Sequence, residues 1–164
     1  MQSLTINGKQ YDLEFTFAAA DEGNLISNMF RVVSGAYFFD HGKENNMAAA
    51  MMNGTAEMVG DLPMICKQAF FAGLKEHTEG ITYEKAVDLM KMYMTENKIS
   101  FNVLYQQLKT QMEEDGFFEL TGIIEMMQTM SDGVQEVEMA EIKPKKTRQT
   151  KTPQDHLKKS TGTK

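Results

Sequence analysis

The first sixteen residues contain the pattern that most restricts the fold of this chain. Five apolar residues alternate with polar ones on either side of an Asn-Gly pair: Leu4, Ile6, Tyr11, Leu13 and Phe15. Asn7 and Gly8 accept the positive φ of a two-residue type I′ turn, so residues 2–16 are predicted to form an antiparallel β-hairpin. Pairing Ile6 with Lys9 sets Leu4 opposite Tyr11 and places the apolar side chains on one face. A lone hairpin is marginal in water, so that face must be covered by the following helices or by another copy's strands.

After residue 17 the apolar spacing changes to three and four, which is typical of amphipathic helices. A first helix ends near 40–42, a second begins after Asn46 with Gly54 weakening its middle, and a third opens at 61–63 and ends at Gly80. Pro63 fits the first turn of the third helix because its missing N–H would be unpaired there. The expected inward residues of the three helices are Leu25, Met29, Val32 and Ala36; Ala48, Met51, Met52 and Val59; and Ile65, Ala69 and Ala72.

Three more helices are predicted in the second half of the chain. Thr82 is a candidate N-cap for a helix over 83–97, and Ser100 for the next helix, which stops at 113–116. The last helix ends at Asp132-Gly133. The expected inward residues are Tyr83, Val87, Met90 and Met94; Phe101, Leu104, Leu108 and Met112; and Phe117, Leu120, Ile124 and Met127. The predicted fold is therefore mainly α, with an N-terminal β-hairpin docked on a small helical bundle in one domain over 1–142.

The charge divides the chain in two. Residues 1–142 carry 9 basic and 22 acidic side chains, whereas residues 143–164 carry 8 basic and one acidic. The second segment is too polar to offset its ordering entropy, so we expect a disordered basic tail. The acidic body would repel a nucleic acid, which argues against that partner. The tail residues that could contact the acidic body or acidic neighbours are Lys145, Lys146, Arg148, Lys158 and Lys159; a solvated tail without a partner is the alternative.

Other features limit the functional classes. No apolar run is long enough for a membrane span or a signal peptide, so we expect a cytoplasmic protein that does not bind membranes. The single Cys66 supports neither a disulfide framework nor a zinc site. His41 and His77 each lie beside one acid and are expected to be surface capping residues, and the acidic run 113–116 is expected to be a solvated helix end. Since nucleotide-binding and hydrolase motifs are absent, we expect a non-enzymatic protein without metal or cofactor. An enzyme with an uncatalogued carboxylate site is the alternative.

Methionine is unusually frequent, with 15 residues in 164. Its flexible side chain repacks around varied apolar partners, which suits a protein that binds other chains and forms homo-oligomers. The alternative is that these methionines fill the core. The candidate partner-binding residues are Met51, Met52, Phe70, Phe71, Met92, Met94, Met126, Met127 and Met130.

The segment L-T-I-N-G-K-x-Y-x-L-x-F-x-F, residues 4–17, followed by a helical acidic body and a basic C-terminus, resembles the tail assembly chaperones of long-tailed bacteriophages. The resemblance implies a small non-enzymatic protein of the host cytoplasm. Such a protein coats the long, apolar, helical tape measure protein and is absent from the mature virion. In many such phages a ribosomal frameshift near the gene's end gives a longer form that recruits the tail tube protein. The rival interpretation is a structural protein of a phage tail or head, whose basic arm contacts neighbouring subunits.

Overall fold

A computed structural model describes residues 1–39 and 46–130, and within these ranges Met1–Met130 form one unit. A two-stranded antiparallel hairpin packs on helices, which confirms the predicted fold class. The elements are β1 (Gln2–Ile6), β2 (Lys9–Leu13), α1 (Phe17–Ala20), α2 (Gly23–Val33), α3 (Ala36–Phe39), α4 (Met47–Leu74), α5 (Tyr83–Asn97), α6 (Phe101–Glu114) and α7 (Phe117–Leu120). Residues 123–130 are again helical.

The hairpin has the predicted register. Ile6 pairs with Lys9 and Leu4 with Tyr11, and the turn residues Asn7 and Gly8 have φ of 49° and 72°. The apolar face of the hairpin is buried in the core, with Leu13 fully covered. Helices of the same chain cover this face, which was the first of the two predicted alternatives.

Backbone N–H groups of the hairpin segment attach it to the helices. The Glu14 N–H donates to the Gly73 carbonyl of α4 at 2.9 Å, and the Asn7 N–H donates to the carboxylate of Glu96 at 3.0 Å. Leu13 lies so close to Gly73 that a Cβ there would be 2.7 Å from the Leu13 Cγ. The hairpin is thereby held against the C-terminal half of α4 and the end of α5.

Helix α4 is the central element, and it differs from the prediction in two ways. It is one helix of 28 residues with Pro63 inside it, where two helices were predicted. Burial of Leu62 and Ile65 next to the proline offsets the roughly 3 kcal/mol that an internal proline costs a helix. The helix also ends at Leu74, before Gly80. The predicted inward positions of the third helix, Ile65, Ala69 and Ala72, are buried as expected.

The inward face of the first half of α4 was predicted wrongly. Ala50 and Gly54 are buried, whereas the predicted inward residues Ala48, Met51, Met52 and Val59 are all exposed. Gly54 does not weaken the helix but permits the close approach of α3, because a Cβ there would lie 2.6 Å from the Tyr37 carbonyl oxygen. The small residues of this segment, rather than the large ones, face the neighbouring helix.

Helices α5 and α6 have the predicted bounds and caps. The side chains of Thr82 and Ser100 accept from the N–H groups of Lys85 and Val103. The buried residues of α5 are Ala86, Leu89, Met90 and Tyr93. The inward face of α5 is therefore displaced by about one residue from the predicted stripe. The predicted stripe of α6 is confirmed, with Leu104, Leu108 and Met112 buried and Phe101 packed against the core.

Glycines interrupt the two remaining predicted helices. Gly35, with φ of 72°, separates α2 from α3, so the stripe from Leu25 to Ala36 belongs to two helices. Gly122, with φ of 71°, separates α7 from residues 123–130. The predicted end at 132–133, the domain boundary at 142 and the tail over 143–164 lie outside the described residues.

The acidic run at the end of α6 was predicted to be solvated, but Asp115 is not. Its carboxylate accepts from the Phe15 N–H at 2.9 Å, from the Gln111 side-chain amide at 2.7 Å and from the Met1 α-amine at 2.6 Å. The pKa of this amine is raised, first by its hydrogen bond to Asp115. Asp115 therefore joins the end of the hairpin to α6, and Phe15 packs on Phe117 beside it with ring centroids 5.6 Å apart.

Candidate functional site

The first half of α4 presents an exposed apolar surface. The segment 47–66 contains two charged residues, Glu57 and Asp61. Five large apolar side chains there are exposed: Met47 (77%), Met51 (54%), Met52 (74%), Val59 (55%) and Met64 (41%). We call these five residues the uncharged face of α4; the first four lie within about 140° of one another around the helix, and Met64 lies on another side. An apolar surface that runs along several helical turns is typical of a protein–protein contact site.

The two charges of this segment are engaged by α2 and α3. Arg31 contacts the carboxylates of Glu57 at 3.0 Å and Asp61 at 3.7 Å. The Tyr37 hydroxyl donates to Asp61 at 2.8 Å, and burial, followed by this hydrogen bond, raises the pKa of Tyr37 to about 12. The Arg31 guanidinium also lies 4.3 Å from the centre of the Tyr37 ring. These contacts tie both carboxylates to α2 and α3, although the Glu57 side chain remains 41% exposed.

The predicted partner-binding residues fall into two groups. Those with exposed side chains are Met51, Met52, Met92, Met126 and Met130. Phe71, Met94 and Met127 are half-buried and pack against the core, and Phe70 is fully buried, 6.3 Å from Tyr93 between ring centroids. The proposed role of Phe70 as an accessible residue is therefore incorrect, because adjacent residues of a central helix point to different sides. The tail residues from Lys145 to Lys159 lie outside the described residues.

Sequence reasoning missed three members of the uncharged face, Met47, Val59 and Met64. Val59 was assigned to the core, since apolar residues surround α4 on all sides in this segment and their spacing does not define one inward direction. The signal that identifies the face is the scarcity of charge from 47 to 66 rather than a periodic pattern.

An apolar cleft lies between α2 and the segment that follows α7. Its volume is about 400 Å³, and it is lined by Ile26, Ser27, Phe30, Arg31, Thr121, Gly122, Ile123 and Met126. The exposed Met126 is thus part of a concave surface, unlike the methionines of α4, which lie on a convex helix. The cleft can accept one apolar side chain of a partner more readily than a whole helix.

The metal-ligand and nucleophile candidates of the described residues can be examined one by one. Within residues 1–39 and 46–130, no group of three or more His, Cys, Asp or Glu side chains could hold a metal ion. Cys66 is buried with its thiol 3.5 Å from the Phe101 carbonyl, and burial raises its pKa to about 12, so it is a protonated, inert thiol. His77 contacts the carboxylate of Glu14 at 2.5 Å, which ties the helix end to the hairpin.

Over the same ranges, no helix has both the length and the hydropathy that a membrane span requires. Comparison with protein-family models, curated proteins and solved structures gives no match for this chain. The exposed surfaces of the described residues are therefore the basis for the function proposed below.

Proposed function

We propose that this chain is a tail assembly chaperone of a long-tailed bacteriophage, which binds the tape measure protein and keeps it soluble during tail assembly. The observation that carries the proposal is the uncharged face of α4, from Met47 to Met64. The alternating segment 4–17, which resembles the start of such chaperones, supports it independently.

The chemistry of the face suits a long apolar helix as its partner. Methionine side chains are unbranched and flexible, so they repack around helices that differ in detail along a long partner. Met51, Met52 and Val59 lie within about 100° of one another around α4, and this stripe of about two helical turns offers a surface against which another helix can lie. Glu57 and Asp61, the two charged residues of this segment, are each paired with Arg31, so a partner with few charges would leave neither carboxylate without a counter-ion.

The acidity of the rest of the protein supports the same role. Residues 1–142 carry 22 acidic and 9 basic side chains, and like charge on every bound copy keeps a coated partner from aggregating. We further propose that the protein acts in the host cytoplasm, catalyses no reaction and is absent from the mature virion. The basic residues after 143, or a longer frameshifted form, would contact the tail tube protein.

Co-expression with the tape measure protein, encoded downstream in such phages, tests the proposal. We expect the partner to be soluble with the wild-type chain and insoluble when Met47, Met51, Met52, Val59 and Met64 are replaced by serine. A second variant carries serine at Met92, Met126 and Met130, which are exposed elsewhere. This control is expected to retain most of the effect, and circular dichroism checks that both variants fold.

An insoluble partner with the wild-type chain, or full partner solubility with both variants, would contradict the chaperone proposal. Loss of solubility with the second variant alone would move the binding surface to α5 and residues 123–130. Mass spectrometry of purified virions separates the rival function. Stoichiometric amounts of this chain in virions would favour a structural protein of the tail or head.

A further inference from the structure

The outer edge of β1 carries open backbone groups. Hydrogen-bonded pairs alternate along an antiparallel hairpin from its two-residue turn, so Leu4 and Tyr11 exchange both backbone bonds. The N–H and C=O groups of the neighbouring Ser3 and Thr5 therefore point away from β2. Both residues are exposed, and within the described ranges no backbone hydrogen bond reaches these outward groups. They present donors and acceptors that an extended strand can pair with.

The β1 strand lacks the features that keep an edge strand from pairing with another chain. Natural edges carry charged side chains, prolines or bulges for this purpose. The sequence of β1, QSLTI, contains no charged residue and no proline, and its register with β2 is continuous from Gln2 to Ile6. The second strand of the hairpin contains Lys9 and Asp12. The β1 edge is therefore the one that can accept another strand.

Both ends of this edge are closed by carboxylates. The Asn7 N–H donates to Glu96 at 3.0 Å, and the Met1 α-amine contacts Asp115 at 2.6 Å. Ser3 and Thr5 lie between these two contacts. An added strand therefore pairs with a short, defined segment, which restricts its register.

A second copy of β1 matches this segment. In an antiparallel pair centred on Leu4, Ser3 lies opposite Thr5 of the second copy, so each open donor meets an open acceptor. We propose that β1 pairs with β1 of a second copy of this chain, antiparallel and about a two-fold axis at Leu4, and that the two hairpins form one four-stranded sheet. Such an interface is isologous, and its opposed Ser and Thr side chains are a favourable cross-strand pair.

The distribution of charge favours a second copy at this edge. Residues 1–39 and 46–130 contain 8 basic and 16 acidic side chains, so two copies repel each other in most orientations. The two strands and the underlying α5 with its C-cap are balanced, with 4 basic and 4 acidic side chains. These are Lys9, Lys85, Lys91 and Lys98, and Asp12, Glu84, Asp88 and Glu96. Two copies can therefore approach through the β1 edge with little net repulsion.

The carboxylates nearest to the edge stay apart across the two-fold axis. Asp12, which accepts from the Ser3 hydroxyl, lies on the outer strand of each hairpin. The two Asp12 residues are separated by three strand spacings, about 14 Å, which exceeds the ~8 Å Debye length at physiological ionic strength. The two Glu96 residues lie at opposite ends of the paired segment, about 20 Å apart along the strands. The proposed pairing therefore brings no carboxylate against its own copy.

The short paired segment sets the strength of the dimer. One strand from each copy buries less than the ~800 Å² per partner of a standard interface. We therefore expect a dissociable dimer with Kd on the order of 10 to 100 μM. The inference does not depend on the chaperone function, because the β1 edge contains no residue of the uncharged face of α4.

Sedimentation velocity of the full chain from about 1 to 300 μM tests the dimer, with a monomer–dimer equilibrium as the expected result. Thr5 and Gln10 are partners across the hairpin, and both N–H groups point outward, so proline at either position removes no bond within the hairpin. Thr5→Pro is expected to raise Kd by roughly tenfold or more, because two backbone bonds of the dimer are lost. Gln10→Pro, the matched control on the β2 edge, is expected to leave Kd unchanged. Circular dichroism checks that both variants fold.

Backbone amide exchange in the wild-type chain, measured by NMR at about 20 and 500 μM, gives a second test that needs no variant. We expect exchange of the Ser3 and Thr5 amides to slow as the concentration rises, while the outward amides of Gln10 and Asp12 exchange at the same rate. A wild type that stays monomeric, or a dimer in which Ser3 and Thr5 are not protected, would overturn the proposal. Equal weakening by Thr5→Pro and Gln10→Pro in folded variants would also contradict pairing through β1.

Discussion

Alanine substitution of two glycines in α4 is expected to have opposite effects on stability. Gly60→Ala adds a methyl group in open space and removes the cost of a helical glycine, so it should raise the free energy of unfolding of the monomer by about 1 kcal/mol. Gly54→Ala makes the same gain but places its Cβ 2.6 Å from the Tyr37 carbonyl oxygen and 3.0 Å from Phe38 Cδ1.

Helix α3 cannot easily withdraw from this contact. Tyr37 is held by its hydrogen bond to Asp61 at 2.8 Å and by Arg31 over its ring. Overpacking costs ~1–3 kcal/mol, and a backbone atom at the clash favours the upper end. After the ~1 kcal/mol helical gain, the net loss for Gly54→Ala is about 2 kcal/mol. The two variants should therefore differ by about 3 kcal/mol, or by roughly 10 °C in Tm.

Urea unfolding followed by circular dichroism measures both variants, at about 1 μM protein so that self-association contributes little to the free energy of unfolding. Equal effects of the two substitutions would refute the close approach of α3 to Gly54. A destabilised Gly60→Ala variant would show that the space at Gly60 is filled within the chain.

Three further predictions concern buried groups. Asp115→Ala should lower the free energy of unfolding by about 3 kcal/mol, because the Phe15 N–H and the Gln111 amide lose a charged acceptor. As a control in the same urea titration, Glu113→Ala should change the free energy of unfolding by less than about 1 kcal/mol. Tyr105→Phe should raise stability by about 1 kcal/mol, since the Tyr105 hydroxyl is buried with no hydrogen-bond partner among the described residues. Burial raises the pKa of Cys66 from 9.0 to about 12, so above pH 9 the thiol ionises in the unfolded chain but not in the folded one. The free energy of unfolding should therefore fall as pH rises above 9, and Cys66→Ala should reduce this fall.

The features that the sequence predicted well are those fixed by neighbouring residues. The hairpin register follows from alternation and from the Asn7-Gly8 turn, and the starts of α5 and α6 follow from the capping side chains of Thr82 and Ser100. Each of these signals acts within a few residues, so no knowledge of the rest of the fold is needed.

The features that were missed depend on contacts between distant residues. Pro63 stays inside α4 because Leu62 and Ile65, before and after it in the chain, are buried in the core. Gly54 is buried because Tyr37 lies against it. The acidic run 113–116 is typical of a solvated helix end, but the segment that follows β2 brings the Phe15 N–H to the Asp115 carboxylate. For the candidate site, sequence reasoning identified Met51 and Met52 but placed Phe70 beside them, because periodicity cannot orient a helix that is apolar on several sides.

The division of α4 into two halves separates folding from binding along one helix. The second half is enclosed by the hairpin at Gly73 and by α6 at Cys66, so substitutions there act on stability. In the first half, α3 contacts the side that contains Gly54, while the side that contains Met52 is exposed. Replacing an exposed side chain removes few contacts within the chain, which is why polar substitutions on the uncharged face are expected to weaken association without lowering Tm. A loss of partner solubility with the serine variant of the uncharged face can therefore be interpreted as a loss of binding.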